Sequence, residues 1–147
     1  FYLRPLSELK ATIEKMQSTK KIDVSCQLIT CVSNDSEKAM LRVKQTISFY
    51  VSVGKIYRDF LASNGFEKET LAIFEEYKKN GLKNNHMFVT DKMANSLSAC
   101  GTPDDVRKKI RQFVEAGVDL PILQFNPVGV VKESFELLVK TIESDVK

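Results

Sequence analysis

The segment that most limits the fold of this chain runs from Gly101 to Gly129. Gly101-Thr102-Pro103-Asp104-Asp105 has the chemistry of a helix start. Thr102 suits the N-cap, where its hydroxyl accepts from a free N–H of the first turn. Pro103 suits the first helical position, where no N–H is needed. Asp104 and Asp105 set negative charge against the positive end of the helix dipole. Val106, Ile110, Phe113 and Val114 then form an apolar stripe at helical spacing, with Lys108, Lys109 and Arg111 on the other side. Gly117 is a left-handed stop. The apolar run Leu120-Pro121-Ile122-Leu123-Gln124-Phe125 reads as a short strand buried on both faces, closed by the turn Asn126-Pro127-Val128-Gly129. Pro121 argues against a fully paired position early in it. Together these pieces make one αβ unit of a parallel sheet or barrel, and such a sheet needs more strands than the remaining sequence offers.

The rest of the chain is mostly helical in pattern. Ser7 to Ser18 reads as a helix with Ser7 as N-cap. Asp23 to Val32 reads as a strand, with Val24, Cys26, Leu28 and Thr30 on one face and Ser25, Gln27, Ile29 and Cys31 on the other. A long helix is expected from about Asp35 toward Val53, ended by Gly54. From Gly54 to Gly101 the pattern is wholly helical: Lys55 to Ser63 around Ile56, Phe60 and Leu61, Glu67 to Lys79 around Leu71, Phe74 and Tyr77, and Thr90 to Ala99 around Met93 and Leu97. Asn64-Gly65 and Asn80-Gly81 act as stops. A last helix, Val131 to Ser144, gathers Phe135, Leu138, Val139 and Ile142. Two parallel strands about ninety residues apart neither close a barrel nor cover their own edges.

The 147 residues, 43% hydrophobic and 28% charged, are enough to bury a sizeable core. A net charge of +3 with interleaved acids gives no nucleic-acid footprint, and Arg107-Lys108-Lys109-Ile110-Arg111 reads as the solvated face of a helix. No apolar run is long enough to span a membrane, and no signal-peptide pattern is present. The three cysteines, Cys26, Cys31 and Cys100, have no metal-ligand spacing and read as small core residues of a reduced, cytoplasmic protein. The single histidine, His86, lies in the polar stretch Lys83-Asn84-Asn85-His86 and reads as a surface loop, so no zinc site is expected.

Val89-Thr90-Asp91-Lys92-Met93, then Ser98-Ala99-Cys100-Gly101-Thr102-Pro103-Asp104-Asp105, Ala116-Gly117-Val118 and Pro127-Val128-Gly129 carry a further signal by their order. In this succession the chain resembles the bacterial-luciferase-like flavoenzymes, and is most similar to the C-terminal half of methylenetetrahydromethanopterin reductases. The resemblance covers essentially the whole chain and implies an α/β fold: the C-terminal part of a TIM (β/α)8 barrel, mostly helical, with two parallel strands. Residues 1–147 would form one partial barrel domain with a helical insertion at about 33–100. Asp23 to Val32 would be the seventh strand and Leu120 to Phe125 the eighth, and the first six strands would precede Phe1.

The same resemblance implies an oxidoreductase that transfers hydride or acts as a monooxygenase on a small-molecule substrate. Its cofactor would be the deazaflavin coenzyme F-420 or FMN, held in the complete protein at the C-terminal ends of the strands. The ring pocket would belong to the earlier strands, so no catalytic residue is assigned here. Ile122, Gln124 and Asn126 would face the barrel axis, with Leu123 and Phe125 toward helices. Gln124, Asn126 and Gly129 are the candidate cofactor contacts. The two amides require hydrogen-bond partners wherever they are buried, and a ligand edge, a neighbouring backbone or water would each serve. Gln27 raises the same question on the first strand. The chain alone is not expected to be active, and the missing N-terminal barrel half or self-association is expected to cover its strand edges. The alternative is a non-enzymatic helical association domain descended from the same family.

Overall fold

The computed structural model describes residues 1–17 and 20–143. Its helices are α1 (Leu6–Gln17), α2 (Ser36–Val53), α3 (Lys55–Leu61), α4 (Glu67–Asn80), α5 (Asp91–Leu97), α6 (Pro103–Glu115) and α7 (Val131–Glu143). The strands are β1 (Ser25–Val32), β2 (Ser98–Gly101) and β3 (Leu120–Phe125). The expected helix ends at Ser18 and Ser144 lie outside the described residues.

All three strands are parallel, in the order β2-β1-β3. The third strand corrects the expectation of two. Ser98-Ala99-Cys100-Gly101 was expected to finish a helix and begin a turn, but α5 stops at Leu97 and the next four residues pair with Ile29–Val32. All four are buried, and a small-residue segment in such a place gains more from ladder hydrogen bonds than from another helical turn. The stretch from Gly54 to Gly101 is therefore not wholly helical. Neither does β1 lack a partner on one edge. β3 lies along one side, while β2 takes the end of the other side and a bridge from Tyr2 to Gln27 takes its start.

Three clusters fill the core. Leu9 and Ile13 of α1 and Phe113 of α6 pack on Val24, Cys26 and Leu28. Val106 and Leu138 pack on Val32 and Ala99, with Leu123 and Phe125 against them. On the opposite face, Val43, Ile47 and Val51 of α2 pack on Ile29 and Cys31, and Leu61, Phe66, Ile73 and Met93 join the same cluster. The alternation expected for β1 is thus observed, with helices on both faces.

β3 departs from the expectation of a strand buried on both sides. Leu120 is 60% and Ile122 46% exposed. As an edge strand β3 has one neighbour, and the neighbouring helix α2 reaches that face only at Gln124 and beyond. The edge position also explains how Pro121, register partner of Cys26, is accommodated without a donor.

Smaller corrections follow the same logic. α1 starts at Leu6, so Ser7 sits inside the first turn rather than at its cap. Ile56, Leu71 and Phe135 are exposed, and so, to a smaller degree, are Val114 and Val139. Ile73 carries the buried face of α4 in place of Leu71. At Asn64-Gly65 the helical path breaks, with Gly65 at φ 92°, which is the expected stop.

The cap of α6 is the one expected. Thr102 Oγ1 accepts from Asp105 N, and Asp105 Oδ2 accepts from Thr102 N at 2.9 Å, a reciprocal capping box. Gly101 holds φ at 123°, and a Cβ there would stand 2.8 Å from Asp105 Cβ. α2 is capped by Asp35, whose Oδ1 accepts from Glu37 N and Lys38 N.

Candidate functional site

The C-terminal end of β3 opens onto a cavity of about 450 Å³ between that strand, α2 and the turn after α4. Position within the fold matters here, because open and closed parallel sheets place ligands beyond the carboxyl ends of their strands. α2 presents Arg42, Gln45, Thr46, Phe49 and Tyr50 to the cavity, one helical face read at steps of three and four. β3 and the residue after it present Gln124 and Asn126. The short 3-10 turn Asn85–Phe88 presents Asn85 and His86, and Lys83 stands just before it.

Two of the three candidate residues from the sequence, Gln124 and Asn126, meet at this cavity. Gly129 is not among its lining residues and sits in the following loop at φ 75°, with nothing within 4 Å of where a Cβ would stand. Gln124 is held at both ends of its amide: Tyr2 Oη donates to Oε1 at 2.8 Å, and Nε2 donates to Tyr50 Oη at 3.0 Å. Neither a ligand nor water is needed to satisfy it. Asn126, 7% exposed, accepts from Thr46 Oγ1 at 3.1 Å and donates through Nδ2 to the carbonyl of Gln124 at 2.9 Å. Gln27 gives its backbone N–H to the Phe1 carbonyl at 2.9 Å and is not among the residues of the cavity.

The wall behind Gln124 is aromatic. Tyr2, Tyr50 and Tyr57 meet edge to face, with ring centroids 5.3 to 5.8 Å apart, the arrangement favoured by ring quadrupoles. Burial, followed by the Tyr50 hydrogen bond, pushes the Tyr2 phenol well above its ordinary value. Cys31 and Cys100 do not line the cavity and are register partners on β1 and β2. Burial, and then the neighbouring Cys100, push the Cys31 thiol up to about 12. Burial raises Cys100 and Cys26 as well. All three thiols are free and buried.

Sequence reasoning missed the basic side of the site. His86 was expected in a surface loop, yet it is half-buried and borders the cavity with Arg42 and Lys83. The polar run around it gave no sign of this, because the turn is anchored by one buried amide, Asn85 Nδ2 donating to Ser52 Oγ at 2.7 Å. No carboxylate lines the cavity. Among the described residues there is no cluster of three or more His, Cys, Asp or Glu arranged to hold a metal ion, and no helix long and apolar enough to cross a membrane.

Comparison with known proteins agrees with this architecture. The family described as luciferase-like monooxygenase matches residues 1–120. The structure of a coenzyme F420 dependent tetrahydromethanopterin reductase from Methanopyrus kandleri superposes on 97% of the chain with a TM-score of 0.78 at 20% sequence identity. This chain spans 43% of the length of that enzyme. No curated protein matches.

Proposed function

We propose that this chain, which belongs to the luciferase-like monooxygenase family, supplies the last strands and the helical insertion of a (β/α)8 oxidoreductase barrel. Residues 1–147 act as one partial barrel domain, with residues 33–100 as the insertion. The reaction class is hydride transfer or monooxygenation with a deazaflavin or FMN. The observation that carries this reading is the cavity at the C-terminal end of β3, where Gln124 and Asn126 are held by α2 and Tyr2.

The residues present suit the polar, charged end of such a cofactor better than its ring. Arg42 Nε is buried with no acceptor, and Lys83 and His86 stand on the same cavity. Gln124 and Asn126 have their amides engaged within the chain, so their part is to fix the wall rather than to grip a ring edge. When bound, the cofactor supplies the hydride or activates oxygen. This chain orients one end of it and closes one side of the site. Gly129 borders the loop that leads from β3 toward α7 and leaves room for a ligand to approach the backbone.

The exposed side of β3, with Leu120 and Ile122, supports a covering partner: an N-terminal barrel half, or a second copy of this chain. The substrate is a small molecule, and a cytoplasmic location accords with three buried free thiols. Fluorescence titration tests the proposal. The chain alone is expected not to bind FMN or the deazaflavin tightly, and the complex with an N-terminal barrel half is expected to bind one equivalent tightly. Failure of that complex to bind either cofactor overturns the oxidoreductase reading.

A second reading is a helical association domain without an active site. The exposed apolar side chains Leu120, Ile122, Val131 and Phe135 favour it. A stable homodimer with no cofactor binding, measured by sedimentation and titration, would select it.

A further inference from the structure

We infer that the cavity beside β3 is an oxyanion site, built by Arg42, Lys83 and His86 to hold a phosphate or carboxylate group. The inference deepens the function proposed above, and rests on it only for the identity of the molecule that carries the anion.

Three observations converge. The first is charge. Two permanent cations and a histidine line a cavity of about 450 Å³ that no aspartate or glutamate enters. The second is an unmet donor. Arg42 Nε is buried without an acceptor, the one such atom among the buried side-chain nitrogens and oxygens of the described residues. A buried donor left unmade is costly, and a guanidinium is shaped to grip a planar carboxylate or a phosphate with two parallel hydrogen bonds. The third is economy elsewhere. Neighbouring basic residues are already engaged: Lys44 pairs with Asp91 at 2.6 Å, Arg58 donates to the Val51 carbonyl at 2.9 Å, and Lys38 pairs with Asp35 at 3.2 Å. Arg42 and Lys83 have no such acid.

The donors come from separate elements. Arg42 lies in the second turn of α2, and Lys83 and His86 lie around the 3-10 turn that follows α4. Asn85 pins that turn to α2 through Ser52, so the two halves of the site are held together before any ligand arrives. Polar hydrogen-bonding groups of Gln45 and Ser48 stand on the same wall.

Isothermal titration of the 147-residue chain with inorganic phosphate and, separately, with glutarate tests the site at low ionic strength. One equivalent of one of the two anions is expected to bind, weakening as salt screens the cations. Tighter phosphate binding assigns a phosphoryl group to the natural ligand, and tighter glutarate binding assigns a carboxylate. Arg42→Gln and Lys83→Gln are each expected to weaken binding by roughly tenfold or more, Arg42→Lys to recover part of it, and Lys68→Gln on the exposed face of α4 to leave it unchanged. Lys83 is exposed, so its variant keeps the test valid should Arg42→Gln fold poorly. Absence of binding by both anions, or equal binding by wild type, Arg42→Gln and Lys83→Gln, overturns the inference. Neither result bears on cofactor binding by the complete barrel, which is read separately by fluorescence.

Discussion

The Thr46 hydroxyl donates to Asn126 Oδ1 at 3.1 Å and so ties the middle of α2 to the residue that ends β3. The other end of the Asn126 amide donates to the Gln124 carbonyl. An amide, with an acceptor on one side and a donor on the other, is the side chain this position requires. Asn126→Asp turns the donor into a second acceptor facing a carbonyl. The expected loss is about 2 kcal/mol of stability at neutral pH, measured by urea unfolding. Acid is expected to ease the loss, because a protonated carboxyl regains a donor.

The capping box of α6 gives a prediction with a sign in pH. The Thr102 side chain, then its backbone N–H, hold the Asp105 carboxyl below its ordinary value. A carboxylate that is more acidic in the folded state stabilises above the unfolded value of about 3.9 and loses that contribution as pH falls through the folded one. Asp105→Asn should cost about 1 kcal/mol at pH 7, and the difference from wild type should shrink in acid below pH ~4. A difference that persisted undiminished at the acid end would contradict the assignment.

Gly101→Ala is expected to be worse than Asp105→Asn or Thr102→Ala. The residue must hold φ at 123°, and its new methyl would press on Asp105 Cβ and Oδ2. Strain of this kind costs about 2 kcal/mol or more. Thermal unfolding of Gly101→Ala against Thr102→Ala ranks the two.

The half-buried phenol of Tyr2 should be silent in an alkaline titration. Its folded value lies above the ordinary phenol value of about 10, because burial and Tyr50 oppose the phenolate. The unfolded chain then ionises first, so stability should fall as pH rises above ~10. Absorbance near 295 nm should report fewer than the four tyrosines of the sequence until the chain unfolds. Tyr2→Phe should remove this pH dependence and cost about 1 kcal/mol through the unpaired Gln124 amide.

The thiols should resist modification. With Cys31 pushed up to about 12 and Cys26 and Cys100 raised as well, the reactive thiolate is scarce and the sulfurs are covered. An aromatic disulfide reagent at pH 8 should label none of the three in the folded chain and all three in denaturant. Fast labelling of native Cys31 would refute the buried geometry.

Much of the frame was legible in the residues, for reasons that are local. Thr102, Pro103 and Asp105 specify a helix start through groups within one turn, and the structure has it there. The alternation of β1 and the stop at Asn64-Gly65 are likewise properties of neighbours in sequence. β2 was not legible, because four small residues carry no period and become a strand only when β1 lies beside them. The exposure of Leu120 and Ile122 was hidden too, since an apolar edge strand and an apolar central strand read alike. In the site, Gln124 and Asn126 stood out as polar groups in an apolar run. Arg42, Lys83 and His86 did not, because a basic residue on a solvated helix and one facing a cavity have the same sequence context.

The pairing of β1 has a consequence for how the protein is made. Its lasting partners, β2 and β3, end at Gly101 and Phe125, and β1 ends at Val32. A ribosome adding about 5–20 residues per second therefore releases β1 roughly 5–20 s before its second neighbour exists. During that interval Ser25-Cys26-Gln27-Leu28-Ile29-Thr30-Cys31-Val32 is an uncharged, β-prone segment without these two neighbours. α1, made just before it, can cover one face through Leu9 and Ile13, and α2, which follows directly, is the first element able to cover the other. The speed of translation between residues 33 and 125, and the chaperones present meanwhile, then set how many copies reach the native sheet.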